Sequence, residues 1–533
     1  MSAALCCCPL MAFAVALHRA ATASPLPRRP AFADVAAGLI AVWLFALCFC
    51  LSGRPAFALT LGMLLLAALW AVNAAKTRAL RGEPLVITDV ALAWQTVRFP
   101  SLYLPFLPCK TLALGSAVGL AALMFLWRLS PPQPIAGGWW AVIAAPLAAC
   151  LLLHTRSGYA LTGCLQATFP LKFDPRADAR RYGPLGAALL HLVWHLTLRG
   201  RNGMGVCNSA TVPVVPPPWY GTAVRWAHNA PGQNRLPHIF LVQAESFCDP
   251  RIFSSAVPYD VLRNWDSLCA EAQSGRLLIS AFGAYTMRTE YAVLTGQPAD
   301  TLGTDAFHPY LGAARYPAWS IARHLRSCGY RTVCLHPFYR EFFCRHKAIP
   351  NLGFEQFVTL ENFPHKDAWG PYVSDNSVAR SMLDLLGEEK RPVFCFAITM
   401  ENHGPWLPGR LREEFVGSGA PSVPGLGKTE NGMADAPAIP GLDAPVCRYL
   451  AHLRHADAML GMLRNGLRQS GRPAVLGWYG DHMPNLKGLI PQGETATPYV
   501  VWRTGTSGNT ASKADITPEE LGGYLLTPAT TLR

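Results

Sequence analysis

Apolar residues are spread unevenly along this chain. Residues 35–51, 56–75, 111–127 and 137–153 carry no charged side chain, and each approaches the roughly 20 apolar residues that cross a bilayer as a helix. A helix buried in a water-soluble core would show a polar stripe; these predict membrane spans. A shorter apolar stretch at 5–17 has no basic residue before it, while Arg19, Arg28 and Arg29 follow. A cleaved signal peptide carries its positive charge first, so this stretch reads as a short first span or as none. The count is five with it and four without. Residues 83–108 mix Asp89, Gln95 and Arg98 with aliphatics and aromatics, which suits an interfacial segment.

Beyond residue 156 the pattern changes. Arg176, Arg180 and Arg181 precede an apolar, helix-like stretch at 185–198, expected either to pack on the domain that follows or to lie on the membrane surface. Pro213, Pro216, Pro217 and Pro218 mark a stiff linker. Short apolar runs then alternate with helical periods, the signature of a mainly parallel sheet. Strands are expected at 239–244, 277–281, 332–335, 393–399, 474–479 and 499–502, and helices at 319–328, 377–386 and 446–467. Residues 410–444 are rich in Gly, Pro and Ala without a period and read as a surface insertion. The predicted organisation is a membrane domain over 1–156, an interfacial helix and linker over 157–236, and an α/β domain over 237–533.

Composition agrees with this division. The 533 residues are 51% hydrophobic and 15% charged, against about 25% charged in ordinary soluble domains. The formal net charge is +13, which favours anionic lipid headgroups as partners. No basic motif interleaved with aromatics supports nucleic-acid binding. Among 16 cysteines no CxxC spacing appears, which disfavours zinc-finger ligation. Lys76, Arg78 and Arg81 follow the span at 56–75, and the positive-inside rule places that loop, and with it everything after residue 156, in the cytoplasm.

The candidate chemistry lies at strand ends. Ligands of open α/β sheets gather outside the carboxyl ends of the strands, where Glu245 closes one apolar run and Asp481-His482 closes another. Carboxylate oxygens with an imidazole nitrogen suit Zn²⁺ or Mn²⁺. Between the two runs, Thr286 follows Gly283 at an expected helix start. It is read either as a helix cap or as a nucleophile whose target phosphate sits on the helix N-terminus; Thr289 is its local rival. Such a set suits attack on a phosphate or sulfate ester.

Five stretches sharpen this picture: Val242-Gln-Ala-Glu245-Ser, Thr286-Met-Arg-Thr-Glu290-Tyr, Phe342-Phe343-Cys344-Arg345, Thr399-Met-Glu-Asn-His403 and Tyr479-Gly-Asp481-His482. In this order, the chain from about residue 237 resembles the sulfatase-type catalytic domain of the lipoteichoic acid synthase and periplasmic glucan phosphoglycerol transferase family. The region before it resembles that family's multi-span membrane domain. The resemblance implies a divalent ion, typically Mn²⁺, with Mg²⁺ and Zn²⁺ as alternatives, held by Glu245, Thr286, Asp481 and His482. Thr286 would be the nucleophile, and Arg345, His403 and Phe343 would face the phosphoglycerol group. Phe343 stands where relatives carry tryptophan, and Gly283-Ala284-Tyr285-Thr286 replaces their Gly-Lys-Thr. The resemblance further implies a multi-pass protein of the bacterial inner membrane with a periplasmic catalytic domain, opposite to the orientation given by the basic loop. Its donor would be phosphatidylglycerol and its acceptor a cell-envelope glycan. The alternatives are phosphoethanolamine transfer, hydrolysis of a phosphate or sulfate ester, and an inactive membrane scaffold. Threonine at the nucleophile position disfavours the sulfate reading, which requires a Cys or Ser converted to formylglycine.

Overall fold

The computed structural model describes residues 3–21, 30–80, 82–100, 109–203, 236–279, 285–388, 391–408, 427–428, 434–505 and 511–527. The chain forms two compact units, Met1–Ala210 and Thr211–Arg533. The first is helical: α1 (Ala3–Ala21), α2 (Pro30–Ser52), α3 (Pro55–Ala79), α4 (Asp89–Arg98), α5 (Cys109–Leu129), α6 (Gly137–Leu153), α7 (Arg156–Thr168), α8 (Pro175–Tyr182) and α9 (Pro184–Gly203). Among the described residues, four helices are long and apolar enough to cross a membrane. They are five if α6 and α7, bent by 94° at their junction, form one span. Expectation and structure differ here in detail. The stretch at 5–17 belongs to a 19-residue helix that meets the length, whereas 137–153 stops at 17 residues before the bend.

Leu10, Ala37, Phe45, Phe49 and Leu66 form the shared core of α1, α2 and α3. Leu114 and Val118 on α5, and Leu147 and Leu151 on α6, are exposed, an outer face that requires an apolar medium. The apolar stretch at 185–198 falls within α9, which packs against α8, α2 and α6 inside this unit.

The second unit is an α/β domain. Its elements run β1 (His238–Ala244), α10 (Arg263–Cys269), β2 (Gln273–Leu277), α11 (Thr286–Thr295), α12 (Pro309–Ala313), α13 (Ile321–Ser327), β3 (Arg331–His336), α14 (Arg345–Asn351), β4 (Gln356–Thr359), β5 (Ala368–Trp369), β6 (Tyr372–Val373), α15 (Asp375–Glu388), β7 (Val393–Ile398), β8 (Gly427–Lys428), β9 (Ala434–Asp435), α16 (Ala444–Gln469), β10 (Ala474–Gly480), β11 (Thr497–Arg503), β12 (Ser512–Lys513) and α17 (Pro518–Leu526). An 8-stranded sheet has the order β12-β2-β11-β10-β1-β7-β3-β4. Only β11 runs against the rest.

β1 lies between β7 and β10, parallel to both, and every residue of β1 and β10 is buried. Strands covered on both faces read as continuous apolar runs, which is why these two were visible in the sequence. On one face Phe240, Val242 and Trp478 join side chains of α10, α15 and α16 in the main core; α11 and α17 pack together elsewhere in the unit. The expected strand at 277–281 is displaced: β2 ends at Leu277, and 280–284 fall outside the described residues. The proline linker also lies outside them, as does most of the 410–444 insertion.

Candidate active site

Register brings the first two candidates together. Ala244 of β1 pairs with Gly480 of β10, so Glu245 and Asp481 leave the same sheet edge side by side. Backbone groups then fix them. The Glu245 N–H donates to Thr399 Oγ1 (2.9 Å), and Asp481 Oδ1 accepts from the N–H groups of Ser246 (2.7 Å) and His482 (2.8 Å). His482 Nδ1 donates to the Met483 carbonyl (3.1 Å), which places its lone pair on Nε2. That atom lies 3.5 Å from Glu245 Oε1 and 3.6 Å from Asp481 Oδ2. Glu245, Asp481 and His482 are buried, and their ligand atoms all lie within 4.8 Å of one another. Among the described residues, they form the one group of three or more His, Cys, Asp or Glu side chains so arranged.

The electrostatics of this group ask for a cation. Burial and the neighbouring Glu245 carboxylate push the Asp481 carboxyl well above its ordinary range, despite the N–H groups that hold it. Burial also pulls the His482 imidazole down. Two carboxylates and a neutral imidazole converge with their acceptor atoms inward, a donor set that fits Mn²⁺ or Zn²⁺.

Thr286 opens α11, after Tyr285 in the left-handed conformation (φ 59°). Its hydroxyl donates to Glu290 Oε1 (2.9 Å), one helical turn on, and accepts from Arg345 Nη2 (3.2 Å). The rival Thr289 is buried and donates towards the Asp481 carbonyl (3.4 Å), so it braces the strand end. Of the two, Thr286 is the half-buried one.

Arg345 is 1% exposed, a guanidinium held inside the domain. Its Nε donates to Glu290 Oε2 (3.1 Å), its Nη2 pairs with Oε1 of the same carboxylate, and its Nη1 donates to His336 Nε2 (3.3 Å). Burial alone would raise the Glu290 pKa, but the paired guanidinium holds it below the ordinary value. The guanidinium therefore lies against the Thr286 hydroxyl, on a counter-ion that stays ionised. Phe343 and Cys344 both adopt left-handed backbone (φ 53° and 59°), a conformation rare for such side chains. This turn delivers Arg345 to the interior. Phe343 itself is buried, with its centroid 5.2 Å from that guanidinium and 5.9 Å from the His308 ring. His403 donates through Nδ1 to the Gly404 carbonyl (2.7 Å), and its ring lies 5.7 Å from Tyr372. Burial pulls the imidazoles of His482 and His336 down, the latter also beside the Arg345 guanidinium, and His403 adds to both.

Sequence reasoning missed five supports. Glu290 anchors Thr286, Arg345, Gln243 Nε2 (3.0 Å) and Tyr310 OH (2.9 Å) at once; its four-residue spacing from Thr286 was the available signal. His336 ends β3, and nothing local marks it. Glu401 is fully buried and accepts at Oε1 from Nδ1 of His452 and of His455, each at 2.9 Å. His452 and His455 lie three residues apart on one face of α16. Glu401 Oε2 accepts from the Asp375 N–H (2.7 Å), so the loop carrying Thr399 and His403 is fastened to α15 and α16.

With this geometry in view, comparison with known proteins is informative. The Sulfatase family profile matches residues 237–528. The chain belongs to the sulfatase family. It is 31% identical over 487 residues to the capsular polysaccharide biosynthesis protein RkpI of Rhizobium meliloti (strain 1021), covering 89% of this chain and 81% of the relative. Similar solved structures include the phosphoglycerol transferase GacH of Streptococcus pyogenes (TM-score 0.44, 21% identity, 58% of this chain and 78% of that one). The lipoteichoic acid synthase LtaP of Listeria monocytogenes also matches (TM-score 0.42, 18% identity, 55% of this chain and 72% of that one).

Proposed function

We propose that this chain is a membrane-bound, metal-dependent phosphoglycerol transferase. It would move the phosphoglycerol headgroup of phosphatidylglycerol to a hydroxyl of a cell-envelope glycan through a phospho-threonine at Thr286. The observation that carries this reading is the convergence of Glu245, Asp481 and His482, combined with a threonine hydroxyl ordered by Glu290 and Arg345. The motif order supports phosphoglycerol, and the relative named for capsular polysaccharide biosynthesis supports a glycan acceptor. Helices long enough to cross a membrane would keep the enzyme beside a lipid donor, and the family resemblance of the motifs would put the catalytic unit on the periplasmic side of a bacterial inner membrane.

Glu245, Asp481 and His482, with the Thr286 oxygen, would hold the ion. When bound, it supplies charge that polarises the phosphoryl group and lowers the hydroxyl pKa. The chain does the rest. Glu290 aims the Thr286 oxygen, whose lone pair attacks phosphorus as the bond to the diacylglycerol oxygen breaks; the hydroxyl proton ends on that departing oxygen, so diacylglycerol leaves as the neutral alcohol. Arg345 Nη2 stabilises the charge that develops beside that oxygen. Transfer reverses these bonds, with the glycan hydroxyl attacking and Thr286 departing.

The test is intact-mass measurement on the full chain in detergent with Mn²⁺ and headgroup-labelled phosphatidylglycerol. A phosphoglycerol-sized adduct present in the wild type and lost in Thr286→Ala is expected. An adduct that survives this substitution moves the nucleophile to Thr289. An adduct formed only from labelled phosphatidylethanolamine replaces the donor.

A further inference from the structure

Helix α4 is built inside out. Leu92, Gln95 and Phe99 at its C-terminal boundary face inward and are buried, although Gln95 is polar and its Oε1 has no hydrogen-bond partner among the described residues. On the outer face Val90 is 74%, Trp94 69% and Val97 68% exposed. These three recur at spacings of four and three, so they make one continuous stripe. A helix end that buries an amide and exposes a tryptophan between two valines is the reverse of what water selects.

The position of α4 is fixed by polar ties to the end of α3. Lys76, in the last turn of α3, donates to Asp89 Oδ2 (2.7 Å), which also accepts from the Val86 N–H (2.8 Å). Lys76 lies 3.4 Å from Glu83 Oε1, and Asn73 Oδ1 accepts from the Leu85 N–H (2.9 Å). The 25 residues of α3 rise about 37 Å, more than the ~30 Å hydrocarbon core, so Lys76 and its partners sit at the edge of that core. Arg176 of α8 donates to the Leu80 carbonyl (3.2 Å), placing α8 at the same end of the helical unit.

We infer that α4 is an in-plane anchor, its Val90–Trp94–Val97 stripe seated in the boundary between lipid headgroups and acyl chains. Tryptophan is the residue this boundary favours, because it offers a broad apolar ring and one polar N–H. Arg98, exposed in the last turn of α4, extends towards phosphate. The occupant of the stripe is the bilayer itself. This inference rests on the membrane location of the first unit and not on the transfer reaction, so either can fail alone.

The test uses the full chain in nanodiscs whose lipids carry bromine at acyl carbons 6,7 or 11,12. The contribution of Trp94 is the difference between wild type and Trp94→Phe. Quenching of that contribution several-fold stronger by the 6,7 lipid is expected. Val90→Trp, introduced into the Trp94→Phe background, should restore it from one turn away. Absence of quenching by either lipid would place the stripe in water or against a second copy of the chain, and overturn the inference. Strongest quenching at 11,12 would do the same by making α4 part of a span. A monodisperse Val90→Trp variant without restored quenching would also count against it.

Discussion

Glu290 and Arg345 are a buried ion pair one bond away from the proposed nucleophile, and their substitution separates folding from chemistry. Glu290→Ala leaves a guanidinium that is 1% exposed without its counter-ion, which costs about 3–5 kcal/mol. Thermal unfolding of the full chain in detergent should show a clear loss, large enough to reduce yield. Arg345→Lys keeps the charge but cannot reproduce the two-point contact with Glu290 while also reaching Thr286. Its adduct formation should therefore fall by about 100-fold, with Mn²⁺ affinity close to wild type, because of the proposed ligands Arg345 touches the Thr286 hydroxyl alone and none of Glu245, Asp481 and His482. A matching loss of Mn²⁺ binding in Arg345→Lys would show that the pair supports the metal group as well.

At the scale of elements, the proposed metal group depends on how closely β1 and β10 approach at their ends. A Cβ on Gly480 would meet the Phe247 carbonyl oxygen at 2.1 Å and Thr497 Cβ at 3.0 Å. Backbone cannot yield as a side chain does, so Gly480→Ala must move Asp481, the next residue. We expect ~1–3 kcal/mol of destabilisation and a Mn²⁺ affinity reduced at least tenfold, read by calorimetric titration. Unchanged Mn²⁺ affinity would mean that the strand ends are not what positions the carboxylates. This element level is also where the sequence was most legible. Buried strands are written as unbroken apolar runs, so the parallel β1, β3, β7 and β10 and the antiparallel β11 were found, and with them the side chains that converge at the ends of β1 and β10. β2 was displaced because Gln273-Ser-Gly-Arg276 is polar near a sheet edge, while the apolar residues after it misled. Glu401, His452 and His455 stayed hidden because their contacts join a loop to a helix some fifty residues away, and local periodicity carries no trace of such a meeting. Arg345 was found through a motif; its burial rests on the left-handed turn at Phe343 and Cys344, which composition does not announce.

For the molecule as a whole, one pH acts on buried groups that pull in opposite directions. Burial raises the Glu401 carboxyl, but His455 and His452 lower it further, to about 2 from an ordinary 4.5. A depressed acid stabilises the fold above its unfolded value, and that contribution fades as pH falls from 4.5 towards 2. Burial lowers His455, yet Glu401 outweighs this and raises it above its ordinary 6.5. A raised base stabilises the fold below 6.5 and loses that contribution as pH climbs through the folded value. From this cluster alone, the wild-type melting temperature is expected to be highest between 4.5 and 6.5. Glu401→Gln should melt lower across that window, and its profile should be flatter on both sides, because the same carboxylate shapes both limbs. Metal acts on a separate axis. An ion that binds only the folded chain adds about 2.7 kcal/mol at 100 times its dissociation constant, so Mn²⁺ should raise the melting temperature of Glu401→Gln and wild type alike. It should leave Asp481→Asn nearly unmoved, since that variant lacks a ligand carboxylate. If Mn²⁺ stabilises Asp481→Asn as much as wild type, the ion binds elsewhere, and the metal group at the strand ends loses its assignment.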